Sequence, residues 1–209
     1  MKHKFQKFFQ AFVFSIVFAL PFSSQNANAN PIVINPVDDG SIYSSGAVVT
    51  IQYLMASGYI RGVAEFPTNT VPGFISNAQL SMNPYGLPLW GPTVQVFGYK
   101  SYDGKLTFSD YDAGTYLGAL SLPSDPGYGQ DVFFDVTHFL QEVDSPYVGF
   151  NLRTMSGGTD VFSSLEYNYD HPAQLIVSPV PEPGTILLVL FGILLLGFRR
   201  WKYKIAVIR

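Results

Sequence analysis

The stretch YVGFNLR, residues 147–153, alternates strictly in polarity. Val148, Phe150 and Leu152 fall on one side of an extended chain, and Gly149, Asn151 and Arg153 fall on the other. Successive side chains of a strand point to opposite faces, so a period of two marks a half-buried strand. The same period recurs in Ala78-Gln-Leu80-Ser-Met82, in Val94-Gln-Val96 and in Val132-Phe-Phe134-Asp-Val136. Turn-forming clusters separate these runs: Asn83-Pro84-Tyr-Gly86, Asp103-Gly104, Pro123-Ser-Asp-Pro126-Gly127 and Ser156-Gly157-Gly158. Short strands at roughly 8–12-residue spacing predict an all-β, jelly-roll-like β-sandwich over residues 30–178. Asp38-Asp39-Gly40 reads as a further turn. One short helix is expected in Thr137-His-Phe-Leu-Gln-Glu-Val143, with Thr137 as its cap and Phe139, Leu140 and Val143 packed on the sandwich.

The order of segments carries a resemblance. Arg61-Gly-Val-Ala-Glu-Phe66, Ser76-Asn-Ala-Gln-Leu80, Phe134-Asp-Val-Thr137, Val148-Gly-Phe-Asn-Leu-Arg153 and Ala173-Gln-Leu175-Ile-Val177 follow one another over about 120 residues. This succession resembles exported sandwich domains of the DNRLRE type, which are related to carbohydrate-binding modules. The resemblance implies a jelly roll and contact with glycans at a matrix or cell wall.

Charge is divided sharply along the chain. Between Asn30 and Val180 there are four basic residues (Arg61, Lys100, Lys105 and Arg153) against 14 acids, a net −10. Such a surface repels phosphate backbones and excludes nucleic acid as a partner. It repels anionic polysaccharide too, unless a cation bridges them. The other eight basic residues lie in the two ends.

The amino end is built as an export signal over residues 1–29. Lys2, Lys4 and Lys7 precede an apolar run, Phe8 to Leu20, interrupted by Gln10 and Ser15. Pro21 breaks the helix because it has no N–H to donate and clashes with the preceding turn. Ala27-Asn28-Ala29 then provides the small residues, Ala27 and Ala29, of a cleavage site before Asn30. The Sec translocon and signal peptidase are the implied partners. A permanent anchor is the competing reading; Pro21 and the small-residue site argue against it. The chain has no cysteine, so no disulfide framework holds the exported body together.

The carboxyl end has three parts. Pro181, Glu182 and Pro183 form a stiff, extended strip, because each proline fixes its own φ and extends the residue before it. Thr185–Phe198 follows, an uncharged run of 14 residues read as a single transmembrane helix shorter than the usual ~20. Arg199, Arg200, Lys202 and Lys204 stop it and keep that side cytoplasmic. Trp201 and Tyr203 suit the interfacial belt. Residues 205–209 form a short tail. By itself a P-x-P strip is a rigid spacer before a permanent tail anchor. The full order over residues 179–204 resembles the PEP-CTERM sorting signal of exported bacterial proteins. That resemblance implies an exosortase-type membrane protease as partner, cutting near Pro181-Glu182-Pro183. It also implies an inner-membrane-anchored precursor facing the periplasm, which then passes to the cell surface or extracellular matrix. The last residues, IAVIR, run further than such signals commonly do.

Catalytic motifs are absent from the sequence: it holds no G-x-S-x-G, no H-E-x-x-H and no phosphate-binding glycine loop. His138 and His171 are expected to be structural or solvent-facing. The acids fall mostly in turns, where solvated charge is the default, and a paired-carboxylate glycan hydrolase is the competing reading. No catalytic residue, cofactor or metal is expected. The one metal alternative is structural Ca²⁺ in Asp110-Tyr-Asp112-Ala-Gly114, whose alternating carboxylates also suit a plain polar turn. Tyr85 and Trp90, in a proline-stiffened loop, either stack on sugar rings or plug the sandwich. The reading as a whole is a non-enzymatic exported surface or matrix protein, with extracellular polysaccharide as its neighbour.

Overall fold

The computed structural model describes residues 30–50, 53–84, 93–122, 130–154, 158–166, 172–180 and Gly192. Residues 1–29 with Ala27 and Ala29, the loop residues Tyr85 and Trp90, His171, the Pro181–Pro183 strip, the apolar run apart from Gly192 and the basic cluster Arg199, Arg200, Lys202 and Lys204 lie outside them. Residues Asn30–Val180 form a compact unit separate from Met1–Ala29 and Pro181–Arg209.

The described unit is a β-sandwich. Its strands are β1 (Ile32–Ile34), β2 (Asp38–Tyr43), β3 (Val48–Val49), β4 (Tyr53–Ala56), β5 (Ile60–Pro67), β6 (Ile75–Met82), β7 (Thr93–Ser101), β8 (Thr115–Ser121), β9 (Val132–Asp135), β10 (Tyr147–Thr154), β11 (Asp160–Ser163) and β12 (Gln174–Pro179). One sheet runs β1-β12-β6-β9, the second runs β3-β2-β5-β10-β7-β8, and β11 pairs with β4. Every pairing is antiparallel. A single core lies between the sheets. Ala78, Leu80, Leu175 and Val177 enter it from one side, and Ala64, Phe66, Val96, Val148, Phe150 and Leu152 from the other. Phe150 meets Phe66 and Phe139 edge-on, with ring centroids 5.9 and 5.8 Å apart. Fully burying each such ring contributes about 1.5–3 kcal/mol, which makes this inner face the main stabilising feature.

Three expectations need correction. Asp38-Asp39-Gly40 is not a turn but the start of β2. Its carboxylates find backbone donors across the fold: Asp38 accepts from the Leu106 N–H at 2.9 Å, and Asp39 from the Leu165 N–H at 3.1 Å. The helix α1 spans Thr137–Gln141, and Val136, not Thr137, stands at its N-cap. The Thr137 hydroxyl is engaged elsewhere, bonding Asp135 at 2.6 Å and accepting from the Ala78 N–H at 2.8 Å. Leu140 is buried, with Phe139 and Val143 packed against the core as expected. A 3₁₀ turn at Phe108–Asp110 is a second helical element.

The third correction concerns β10 itself. Gly149 and Asn151, on the side opposite the core, are buried as well. The segment after β7 folds back over that outer face, and Leu106 joins Ile42, Val63 and Tyr99 in a second apolar cluster. Gly149 faces Glu65 on β5 and Tyr99 on β7. A Cβ at Gly149 would lie 2.0 Å from Cζ of Tyr99, far inside van der Waals contact. The bare glycine therefore lets Tyr99 lie flat across β10 and reach Glu65. Gly149→Ala is expected to destabilise the body by about 3 kcal/mol, by overpacking and by parting Tyr99 from a buried acceptor. Gly73→Ala, where an added Cβ meets nothing within 4 Å, is the control and is expected to change stability little. Denaturant melts of both variants check this.

Candidate functional site

Three places in the described unit bring together groups that chemistry or recognition would use. The first is the outer face of the six-stranded sheet. Glu65 is fully buried there. It accepts hydrogen bonds from the Tyr99 hydroxyl at 2.7 Å and the Ser101 hydroxyl at 2.8 Å. Asp38 stands opposite Glu65 on the neighbouring strand. The covering segment is tied down by side chains of β10. The Asn151 amide donates to the carbonyls of Asp110 at 2.6 Å and Tyr111 at 3.1 Å. Arg153 donates to the Ala113 carbonyl at 2.8 Å and lies 3.8 Å above the centre of the Phe97 ring. Arg61 lies 4.6 Å above the Tyr111 ring. Burial drives the Glu65 pKa up to about 7, against the pull of its two hydroxyl donors.

Two further acids are buried. Asp39 is fully buried on the opposite side of β2, where burial raises it to about 7 despite the Leu165 N–H. Asp160 on β11 is buried with no hydrogen-bond donor to either oxygen among the described residues, and burial raises it to about 6. The expectation that the acids sit in solvated turns therefore fails for these three. Asp110 does lie in a turn. Its carboxylate accepts from the Thr107 N–H at 2.8 Å and the Thr107 hydroxyl at 2.9 Å. Among the described residues no group of three or more His, Asp or Glu gathers as metal ligands.

The second place is an open groove of about 550 Å³ between β8 and α1, lined by Tyr116, Asp135, His138 and Glu142 among others. His138 is exposed and sits 3.8 Å from Glu142. Asp135 is held below the ordinary carboxylate range by the hydroxyl and then the N–H of Thr137. The groove thus holds a firmly ionised carboxylate and a second, solvated one.

The third place is the end of β12. Pro179 closes the strand, and the Val180 N–H donates to the Phe74 carbonyl at 3.0 Å. The next residue in the sequence is Pro181. Comparison with known families matches residues 179–202 to the PEP-CTERM protein-sorting motif. The chain therefore carries the signal of an exported, membrane-anchored precursor that an exosortase-type protease sorts to the cell surface. No curated protein matches the chain. The match covers the tail, and the DNRLRE-type resemblance of the body gains no support from it.

Of the residues singled out in the sequence, His138 and Asp110 are placed and lie apart, on α1 and in the 3₁₀ turn. The cluster that joins Glu65 to Tyr99 and Ser101 is not among the sites expected from the sequence. The visible signal was a lone glutamate inside the apolar strand segment Val63–Phe66, opposite the glycine of YVGFNLR.

The buried acids set a pH dependence. Glu65, Asp39 and Asp160 all bind protons more tightly in the folded chain than in the unfolded one. Stability therefore falls as pH rises through the window from about 4.5 to 7. Asp135 and Asp144 are shifted the other way, and their contribution is lost only at lower pH, outside that window. The melting temperature at pH 5 is expected to exceed that at pH 8 by roughly 5 °C or more, with a smaller gap in Glu65→Gln. Scanning calorimetry across pH measures both; a flat profile counts against the buried-carboxylate arrangement.

Proposed function

We propose that the protein is a non-enzymatic surface or matrix component. Its sandwich is the cargo, and the final two dozen residues are a removable membrane handle. The observation that carries this reading is the junction: the sorting motif begins at Pro179, the last residue of β12, so signal and folded body adjoin without a spacer. Export begins with removal of residues 1–29, and the acidic body faces the periplasm while the basic cluster stays inside. The protease then reads the Pro181-Glu182-Pro183 strip, whose two prolines fix their own φ and have no N–H to donate. Extracellular polysaccharide is the neighbour of the delivered body, contacted through Tyr85 and Trp90.

Mass spectrometry of the protein recovered from the cell surface and medium tests the processing. The expected product starts at Asn30 and ends near Pro181–Pro183, and a Pro181→Ala/Pro183→Ala chain is expected to stay membrane-bound at full length. Recovery of peptides reaching Arg209 from the released protein would overturn it. A reducing-end assay tests the non-enzymatic reading, with no release expected. Glycan cleavage lost on Asp135→Asn would instead make the groove at α1 a hydrolase site.

A further inference from the structure

We propose that the corner of the sandwich where β12 ends is a lipid-interface surface, with Phe74 as its anchor. The inference rests on the reading of the tail as a membrane span. Three independent features of the body support it.

The first is reach. Val180 is bonded to Phe74, and the apolar run begins at Thr185, five residues on. A fully extended chain covers at most ~3.3–3.6 Å per residue, so the corner stands no more than about 18 Å from the start of the span. The headgroup zone on each side of the hydrocarbon is about 5–8 Å deep. The register of β1 against β12, with Ile32 opposite Val177, brings the chain start at Asn30 to the same corner. Both membrane-directed ends of the precursor therefore leave the body at one place. Cleavage before Asn30 adds a positively charged amine there.

The second is apolar exposure. Phe74 is 82% exposed, the highest value among the large hydrophobic residues described, and Val180 beside it is 43% exposed. The presentation is fixed. The Thr68 N–H is bonded to the Pro146 carbonyl at 3.0 Å, the Val71 N–H to the Thr68 carbonyl at 2.9 Å, and Val71 packs on the core. Pro72 and Gly73 then lead to Phe74. An aromatic ring held out on a tethered loop is the form that an interfacial anchor takes.

The third is charge. The body carries −10, yet no Asp, Glu, Lys, Arg or His occurs from Phe66 to Gly98 or from Asn30 to Val37, or between His171 and Glu182. These are the segments that supply β1, β6 and β12 and the loop that bears Phe74. Asp144, which lines the cavity beneath Pro72 and Gly73, is paired with Lys100. A bilayer with anionic lipids would repel most of this body, and it meets no carboxylate on these three strands.

The chain's lack of cysteine gives a clean test. Full-length protein is reconstituted into phosphatidylethanolamine/phosphatidylglycerol vesicles with one fluorophore, at Gly73→Cys or at Tyr59→Cys. Gly73 has open space around it, and Tyr59, 61% exposed, lies beyond the opposite end of β5. Iodide quenching at residue 73 is expected to be weaker than at residue 59 by about threefold, with quenching by lipid-borne nitroxide at residue 73 alone. Adding Phe74→Ser to the Gly73→Cys chain is expected to abolish the difference. Equal iodide quenching at both positions, with the chain still floating with the vesicles, overturns the corner and leaves the span standing. Protection at residue 73 without nitroxide quenching means protein covers it, and protection that survives Phe74→Ser removes the anchor; either result overturns the proposal. A chain that fails to float with vesicles removes the span and the proposal together.

Discussion

The structure depends on how it accommodates one carboxyl group. Glu65 has no exposed surface and sits in the middle of the six-stranded sheet. A buried acid is costly unless hydrogen-bond donors reach it. Here the donors are Tyr99 and Ser101, two positions apart on one strand. The bed is Gly149, which has no side chain to hold the ring off. The cover is the segment from Tyr102 to Gly114, and its attachment uses much of the body's scarce positive charge. Arg61 and Arg153 both hold down aromatic rings or carbonyls at that cover, while Lys100 pairs with Asp144. A body with so few basic residues has placed half of them over one face of one sheet.

Legibility in the sequence follows from this arrangement. The inner face was readable because apolar side chains meeting a core must recur every second residue, and Val148, Phe150 and Leu152 do so. The outer face was not readable because it is covered by a loop, which imposes no period. Gly149 and Asn151 look like solvent-side residues until something lies on top of them. Asp38-Asp39-Gly40 misleads for a related reason. Its residue types favour turns, yet distant N–H groups at Leu106 and Leu165 satisfy the two carboxylates and permit a strand. Thr137 has the right type for a helix cap, but Asp135 and Ala78 compete successfully for its hydroxyl. The tail was legible because its information is linear: a stiff strip, an apolar run and a basic stop act in order, with no tertiary contact needed.

Body and tail divide their physical work along the same line as their charge. Strands β1, β6 and β12 carry no acid of their own, and eight of the 12 basic residues lie in the two ends of the chain. A body of net −10 repels other copies of itself. Two of these three uncharged strands, β1 and β12, are the first and last of the described unit, and the third, β6, pairs with β12.

The position of β12 has a further consequence for how the body is made. It lies inside its sheet, flanked by β1 on one side and β6 on the other. It is also the last strand among the described residues. During vectorial transport the β1 strand has no partner until residues 174–179 arrive, and the core facing Leu175 and Val177 stays open to water. Cooperative folding is thereby deferred until nearly the whole body has crossed, which keeps the chain in a threadable state. Completion of the sandwich and arrival of the sorting strip become one event in time, because the two are contiguous in sequence. A chain interrupted before that point lacks an interior strand, not a dispensable edge.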